Sequence, residues 1–203
     1  SSSAAITVTP NSTDTVLQAL VFLACDTIEI SKAINVQICR NAVDFDGVND
    51  YVKIADHPSL DLLSGDTSFT WMFWMKTPPR TRFDFLMRKV GGYGIDVDND
   101  NMLFVTWGDD VWFNDALQDD DQWHHYAFVA SGGEEKKLYV DGQLFETIVS
   151  PYTLSDSGDS LYLGFNNPNV LITLDMTLSQ FSIWNRALDS AAIVEYMSCG
   201  AIS

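Results

Sequence analysis

The stretch FTWMFWMK, residues 69–76, decides the fold class of this chain. Side chains alternate between the two faces of an extended strand. One face of this stretch therefore carries Phe69, Trp71, Phe73 and Met75. The methionine and the tryptophan between them make the other face apolar as well. A strand that is apolar on both faces is covered on both sides, which predicts a central strand of a β-sandwich.

Similar apolar runs recur from about residue 42 to residue 185, separated by Gly, Asn and Asp and without a sustained helical period. They predict strands at 51–54, 83–90, 94–97, 102–107, 123–130, 137–140, 144–148, 161–165 and 177–184. The pair Asp141-Gly142 predicts a tight hairpin. Near the C-terminus, Asp189 is a suitable N-cap for one short helix, with Ile193 in its apolar stripe. This helix is expected to cover a sheet edge or end. The chain is therefore predicted to be all-β with one short C-terminal helix.

The first 41 residues fit this pattern least well. They are expected to be an N-terminal extension or an extra strand pair that packs on a single domain, residues 42–203. Three cysteines, Cys25, Cys39 and Cys199, allow at most one internal disulfide. A Cys25–Cys39 bridge is expected if the chain is secreted, and three reduced thiols are expected otherwise.

The net charge excludes one class of partner. The chain has 28 acidic and 11 basic residues, a formal charge of -17, which repels a phosphate backbone. We therefore expect no nucleic-acid binding. Membrane insertion is not expected either, because the longest apolar stretch, residues 16–25, is about half a membrane span.

Five segments resemble the signatures of a known family and follow one another in its order. They are FDGVNDYV (45–52), SFT with FWMKT (68–77), WHHYAFV (123–129), LYVDG (138–142) and IWNRAL (183–188). Together they resemble the laminin-G-like domains of the concanavalin A-like lectin and glucanase superfamily. The resemblance implies a jelly roll, a two-sheet antiparallel β-sandwich of the kind found in lectins and pentraxins. This fold hosts both binding proteins and hydrolases.

Catalysis is not predicted, because the residues that it needs do not occur in a suitable pattern. A retaining glycanase needs two carboxylates about 5 Å apart, and family 16 glycoside hydrolases supply them from a Glu-x-Asp-x-x-Glu strand. The glutamates here are Glu29, Glu134, Glu135, Glu146 and Glu195, and none lies in such a motif. His124 and His125 point to opposite faces of one strand and are expected to be structural. A hydrolase or lyase with an unfamiliar site is the alternative.

Calcium is the expected cofactor. Asp46 and Asp50 flank Gly47 in the opening hairpin that the resemblance implies, where carboxylates and backbone carbonyls suit a hard cation. Other short acidic clusters, such as Asp96 with Asp98 and Asp119 with its neighbours, have the same composition. Asp is also a common turn residue, so solvated turns are the alternative. Residues 163–169 offer amides in place of acids, which speaks against the paired calcium site of pentraxins.

Aromatic rings in polar loops are the candidate ligand-binding residues. Stacking on a sugar needs exposed rings with carboxylates beside them, and this pattern selects Trp107, Trp112, Tyr93, Asp109 and Asp110. The alternative is that these rings close the ends of the core. We therefore predict a non-catalytic recognition or adhesion domain that binds a glycan or a glycosylated surface. It is expected to be extracellular, on a cell or virion surface, as part of a larger surface or virion protein. A ligand-free structural domain is the third alternative.

Overall fold

The structure is a computed structural model that describes residues 6–8, 42–61, 68–106, 110–153, 157–167 and 170–198. In the described ranges the strands are β1 (Ile6–Val8), β2 (Ala42–Asp46), β3 (Val52–Ile54), β4 (Phe69–Lys76), β5 (Phe83–Lys89), β6 (Tyr93–Asp98), β7 (Asn101–Val105), β8 (Val111–Phe113), β9 (His124–Ser131), β10 (Glu135–Val140), β11 (Gln143–Val149), β12 (Leu161–Leu163), β13 (Phe165–Asn167), β14 (Val170–Thr173) and β15 (Asp175–Trp184). A 3-10 turn spans Pro58–Leu60, and helix α1 spans Ser190–Ser198.

Two large sheets are stacked face to face. The seven-stranded sheet has the order β1-β3-β12-β5-β6-β7-β8, and the six-stranded sheet has the order β11-β10-β9-β4-β15-β2. Neighbouring strands are antiparallel, except that β1 runs parallel to β3. Strands β13 and β14 form a separate hairpin. The predicted antiparallel β-sandwich is thus confirmed.

The core lies between the two sheets and is rich in aromatic rings. Strand β4 pairs with β9 on one side and β15 on the other, so it occupies the central position that its sequence predicts. Its Trp71 is fully buried and stacks on Tyr93 of the opposite sheet, with ring centroids 5.0 Å apart. Phe104 and Phe128 stack across the same space at 5.5 Å. Such ring pairs add to the stabilisation that apolar burial provides.

Helix α1 covers a second apolar cluster on the outer face of the six-stranded sheet. Asp189 accepts a hydrogen bond from the Ala192 amide at 2.8 Å, which confirms the predicted N-cap. Ile193 is fully buried in the cluster, and the ring of Tyr196 lies 4.6 Å from that of Trp184. The helix was expected at a sheet edge or end, and it covers a face instead because Trp184 points outward from β15.

Two local expectations need correction. Residues 47–51 do not close a hairpin, because β2 pairs with β15 in one sheet and β3 pairs with β12 in the other. The segment therefore crosses between the sheets. Strand β8 was not predicted, and it places Trp112 at the edge of the seven-stranded sheet. The Asp141-Gly142 turn is confirmed, with φ of 50° and 75°.

Several expectations fall on residues outside the described ranges. These are Cys25, Cys39, Cys199, Trp107, Asp109 and nearly all of residues 1–41. Of the helices in the described part of the chain, none combines the length and the hydropathy needed to cross a membrane.

Candidate functional site

Tyr93 lies in the core and not on a binding surface. The residue is 1% exposed, and its hydroxyl donates to the carbonyl of Leu60 at 2.9 Å. Burial, followed by the charges of Asp61 and Asp56, raises the pKa of Tyr93. The expectation that Tyr93 stacks on a ligand is therefore corrected. Alternation along β6 turns this ring inward and turns the next residue outward.

The outer face of the seven-stranded sheet brings together residues from four strands. Arg88 on β5 pairs with Gly94 on β6. In the next row, Asp96 on β6 pairs with Leu103 on β7, and Leu103 pairs with Trp112 on β8. Arg88, Asp96 and Trp112 thus share one face although they are far apart in sequence.

Arg88 and Asp96 form a two-point ion pair at the centre of this face. The Arg88 Nε donates to Asp96 Oδ1 at 2.9 Å, and its second terminal nitrogen donates to the other carboxylate oxygen. Asp96 is fully buried, whereas the Arg88 side chain is 21% exposed. Burial raises the pKa of Asp96 to about 6, against the lowering effect of Arg88 and with a further raising effect of Asp110. Asp96 thus holds the guanidinium, and Arg88 is the member that a ligand can reach.

Gly94 makes room for this arginine. A Cβ at position 94 would lie 2.5 Å from Arg88 Cδ and 2.6 Å from the carbonyl oxygen of Met87. The side chain of Arg88 therefore lies flat across β6, where its guanidinium is also 5.4 Å from the ring centroid of Phe85. A cation over an aromatic face is stabilised there, so Arg88 is held from two sides.

Trp112 and Asp110 form the exposed part of the face. Trp112 is 39% exposed on the edge strand β8. Asp110 is exposed, and its Oδ1 accepts a hydrogen bond from the Thr106 amide at 3.2 Å, which closes the link between β7 and β8. The inner part of the face is buried, since Phe85 and Leu103 are each 8% exposed. The accessible side chains of this face are therefore Trp112 and Asp110 at the β8 edge, which we call the Trp112 edge, and the exposed part of Arg88 nearer the centre of the sheet.

The sequence pointed to two members of this group and missed the others. It predicted Trp112 and Asp110, while Asp96 was grouped with turn acids and Arg88 was not selected. The pairing of Arg88 with Asp96 depends on the register between β5 and β6, which shifts at a bulge between Phe85 and Met87. No local sequence signal specifies that register.

Asp46 and Asp50, the expected calcium ligands, both contribute to the crossing segment. Asp46 Oδ1 accepts from the Val48 amide at 2.8 Å, and Asp50 Oδ2 accepts from the Asp46 amide at 3.2 Å. The carbonyl of Gly47 faces a guanidinium nitrogen of Arg82 at 3.5 Å. In the described residues no group of three or more His, Cys, Asp or Glu side chains could hold a metal ion. The two carboxylates thus supply a minority of the six to eight oxygens that calcium takes.

Glu135 and His124 are engaged in structural contacts, and His125 is buried. Glu135 pairs with Lys137 at 2.6 Å. The nitrogens of His124 lie 2.8 Å from Asp141 and 3.2 Å from Asp120. His125 is 2% exposed, and burial lowers its pKa to about 4 despite the nearby Asp141.

The fold is that of a lectin-like jelly-roll domain. The family model described as the concanavalin A-like lectin/glucanases superfamily matches residues 46–194. The chain belongs to this superfamily, as its five sequence signatures predict. Among curated proteins, no relative matches this chain.

Solved structures with the same fold include the binding domains of clostridial toxins. The binding domain of Paraclostridial Mosquitocidal Protein 1 aligns with a TM-score of 0.63 and 15% identity, over 77% of this chain and 42% of that chain. The binding domain of botulinum neurotoxin DC in complex with SialylT aligns at 0.52 and 16%, over 68% and 37%. The same domain in complex with rat synaptotagmin II aligns at 0.55 and 14%, over 79% and 43%. This chain thus spans less than half of each structure, and the likeness is one of fold.

Proposed function

We propose that this chain is a non-catalytic recognition domain that binds a glycan or a glycosylated surface at the Trp112 edge. The observation that carries this is the half-exposed ring of Trp112, with the exposed Asp110 two residues before it, on the face where Asp96 fixes Arg88. An indole ring stacks on the apolar face of a sugar. A carboxylate and a guanidinium accept and donate the hydrogen bonds of its hydroxyl groups.

The solved structures of similar fold support a binding role. They are binding domains by their descriptions, and two of them hold SialylT or rat synaptotagmin II. Because this chain matches less than half of each, a role inside a larger protein is part of the proposal. We propose with it a location outside the cell, on a cell surface or on a virion, as for a domain that binds a receptor.

Calcium enters the proposal as an assisting ion at Asp46 and Asp50. Each carboxylate has one oxygen in a turn hydrogen bond, so the ion would use the other oxygens together with backbone carbonyls and water. Such a site is weak, because charged ligands are few. Its expected effect is to stabilise the folded domain that binds the sugar.

A glycan array combined with a turnover assay tests the proposed function. We expect saturable binding to one class of glycan and no release of reducing ends or unsaturated products from a polysaccharide panel. Steady turnover would show a hydrolase or a lyase instead. A flat array, together with a buried interface between copies, would favour a structural domain without a ligand.

A further inference from the structure

A second polar pocket lies at the connection between β4 and β5. Its volume is about 220 Å³, and residues 77–82 line it together with Asp84 and Asp175. The hydroxyl of Thr77 donates to the carbonyl of Asp175 at 2.8 Å and so joins the two sides of the pocket. None of these residues belongs to the Trp112 edge.

Arg80 and Asp84 form a buried ion pair in the wall of this pocket. The Arg80 side chain is 7% exposed and that of Asp84 is 2% exposed. A terminal nitrogen of Arg80 donates to Asp84 Oδ2 and, at 2.8 Å, to the carbonyl of Arg82. Arg82 Nε donates to the same Asp84 oxygen at 3.0 Å. One oxygen of the Asp84 carboxylate thus accepts hydrogen bonds from both arginines.

The remaining polar atoms of this pair have no partner. Arg80 Nε and Nη1 and Asp84 Oδ1 are buried without a hydrogen bond to any described residue. Buried donors and acceptors without partners cost free energy. A ligand that offers an acceptor and a donor side by side would therefore be stabilised at this wall.

The charges of the pocket favour a neutral ligand. Two guanidiniums, Arg80 and Arg82, are balanced by two carboxylates, Asp84 and Asp175. Burial lowers the pKa of Arg80 and raises that of Asp84, so an additional net charge there would be costly. The chain also carries a formal charge of -17, which disfavours an anion.

Adjacent hydroxyl groups on a sugar ring have the required chemistry, because each hydroxyl both donates and accepts. The pocket volume suits one ring, and two prolines and Leu174 supply apolar wall. We propose that the pocket at residues 77–82 binds one neutral sugar ring, with one hydroxyl accepting from a guanidinium and its neighbour donating to a carboxylate. The inference rests on the proposed function for the nature of the ligand, but it assigns a separate site.

Amide chemical shifts of the full chain, followed during titration with single sugars, test this assignment. The probes are D-glucose, D-galactose and D-mannose, with D-glucuronate as the charged comparison. We expect saturable shifts at residues 80–82 and at Asp175 with a neutral sugar, and weaker binding of glucuronate.

Variants separate the pocket from the rest of the surface. Arg82→Ala removes a guanidinium whose side chain is 59% exposed, so the fold should persist while the affinity falls about tenfold through loss of a charged donor. Lys76→Ala is the matched control, since Lys76 is a neighbouring half-exposed cation that pairs with Asp121 at 3.2 Å outside the pocket. Its affinity should equal that of the parent chain. Arg80→Lys keeps the charge without the planar fork and should also weaken binding.

Three outcomes overturn the pocket assignment, and a fourth overturns the claim that its ligand is neutral. Shifts confined to Asp110 and Trp112 leave the proposed function intact, and so does an array that binds glycans while single sugars give no shifts. Tighter binding of glucuronate than of the neutral sugars removes the neutral-ligand claim. A flat array together with no shifts at either site removes both proposals.

Discussion

Burial makes protonation of His125 unfavourable in the folded protein. Its ring packs 5.4 Å from that of Trp74, and burial lowers its pKa from 6.5 to about 4. A lowered pKa means that the folded protein resists protonation. The stability contribution is therefore fully present above about pH 6.5 and is lost as the pH falls through about 4.

Replacing His125 should reduce this acid sensitivity. Between neutral pH and about pH 4 the free energy of unfolding of the parent chain falls partly because His125 resists protonation. In His125→Phe we expect this fall to be smaller by about 3 kcal/mol. Urea unfolding at the two pH values measures the difference. The pH dependence from Asp96 has the opposite sign, because burial raises its pKa from 3.8 to about 6. Its contribution to stability is fully present below about pH 3.8 and is lost as the pH rises through about 6. Equal pH dependence of His125→Phe and the parent would contradict the buried neutral imidazole.

Asp46 tests the calcium proposal. If calcium binds the folded chain, it raises Tm because it binds the folded state preferentially. At a hundredfold excess over Kd the free energy of unfolding rises by about 2.7 kcal/mol. Asp46→Ala should remove most of that gain. Thermal melts in chelator and in millimolar calcium decide the matter, and identical melts for the parent chain would show that Asp46 and Asp50 only shape the crossing segment.

At the level of elements, the contact between β5 and β6 depends on Gly94. Gly94→Ala would place a Cβ 2.5 Å from Arg88 Cδ and 2.6 Å from a backbone oxygen. We expect a loss of about 1 to 3 kcal/mol, as for other overpacked sites, measured as a lower urea midpoint. Combining it with Arg88→Ala should recover part of the loss. An unchanged midpoint in Gly94→Ala would mean that Arg88 does not lie across β6.

Helix α1 depends on its cap. Asp189→Ala removes the acceptor for the Ala192 amide and should cost about 1 kcal/mol. Ser190→Ala, at the first helical residue, is the matched control and should be close to neutral. If the two variants unfold at the same urea concentration as the parent chain, the cap does not contribute to stability.

Local sequence signals predicted some elements and could not predict others. Apolar alternation specified β4, and Asp141-Gly142 and Asp189 specified a hairpin and a helix start. The sequence of residues 45–52 predicts a hairpin, because a turn has the same local signal in two cases. The next strand can pair with the preceding one, or it can cross to the other sheet, as β3 does. Strand β8 has three residues between polar stretches of sequence, which is too short for a periodicity to show.

The candidate site shows the same limit. Trp112 and Asp110 were found because composition marks an aromatic ring among acids. Arg88 and Asp96 meet only through the register of β5 with β6 and its bulge. Tyr93 was placed wrongly because a core ring next to glycines has the same local sequence as an exposed one.

For the whole molecule, the charge balance fits recognition of an uncharged or cationic surface. The chain has a formal charge of -17, so its surface field is negative. The described basic side chains that form ion pairs with aspartates are Lys76, Arg80, Arg82, Arg88 and Lys89. Binding of a neutral glycan should accordingly depend little on salt. The superfamily assignment fits the proposed role and does not itself identify the ligand.

The effect of Trp112→Ala on glycan affinity tests the central claim most directly. The control is Phe145→Ala on β11, an aromatic residue of similar exposure, 41% against 39%, at the edge of the other sheet. We predict that Trp112→Ala weakens binding of the array-selected glycan by about 1 to 3 kcal/mol with little change in Tm, by analogy with a binding hot spot, while Phe145→Ala binds as the parent does. Equal affinity of all three proteins would contradict a binding site at the Trp112 edge.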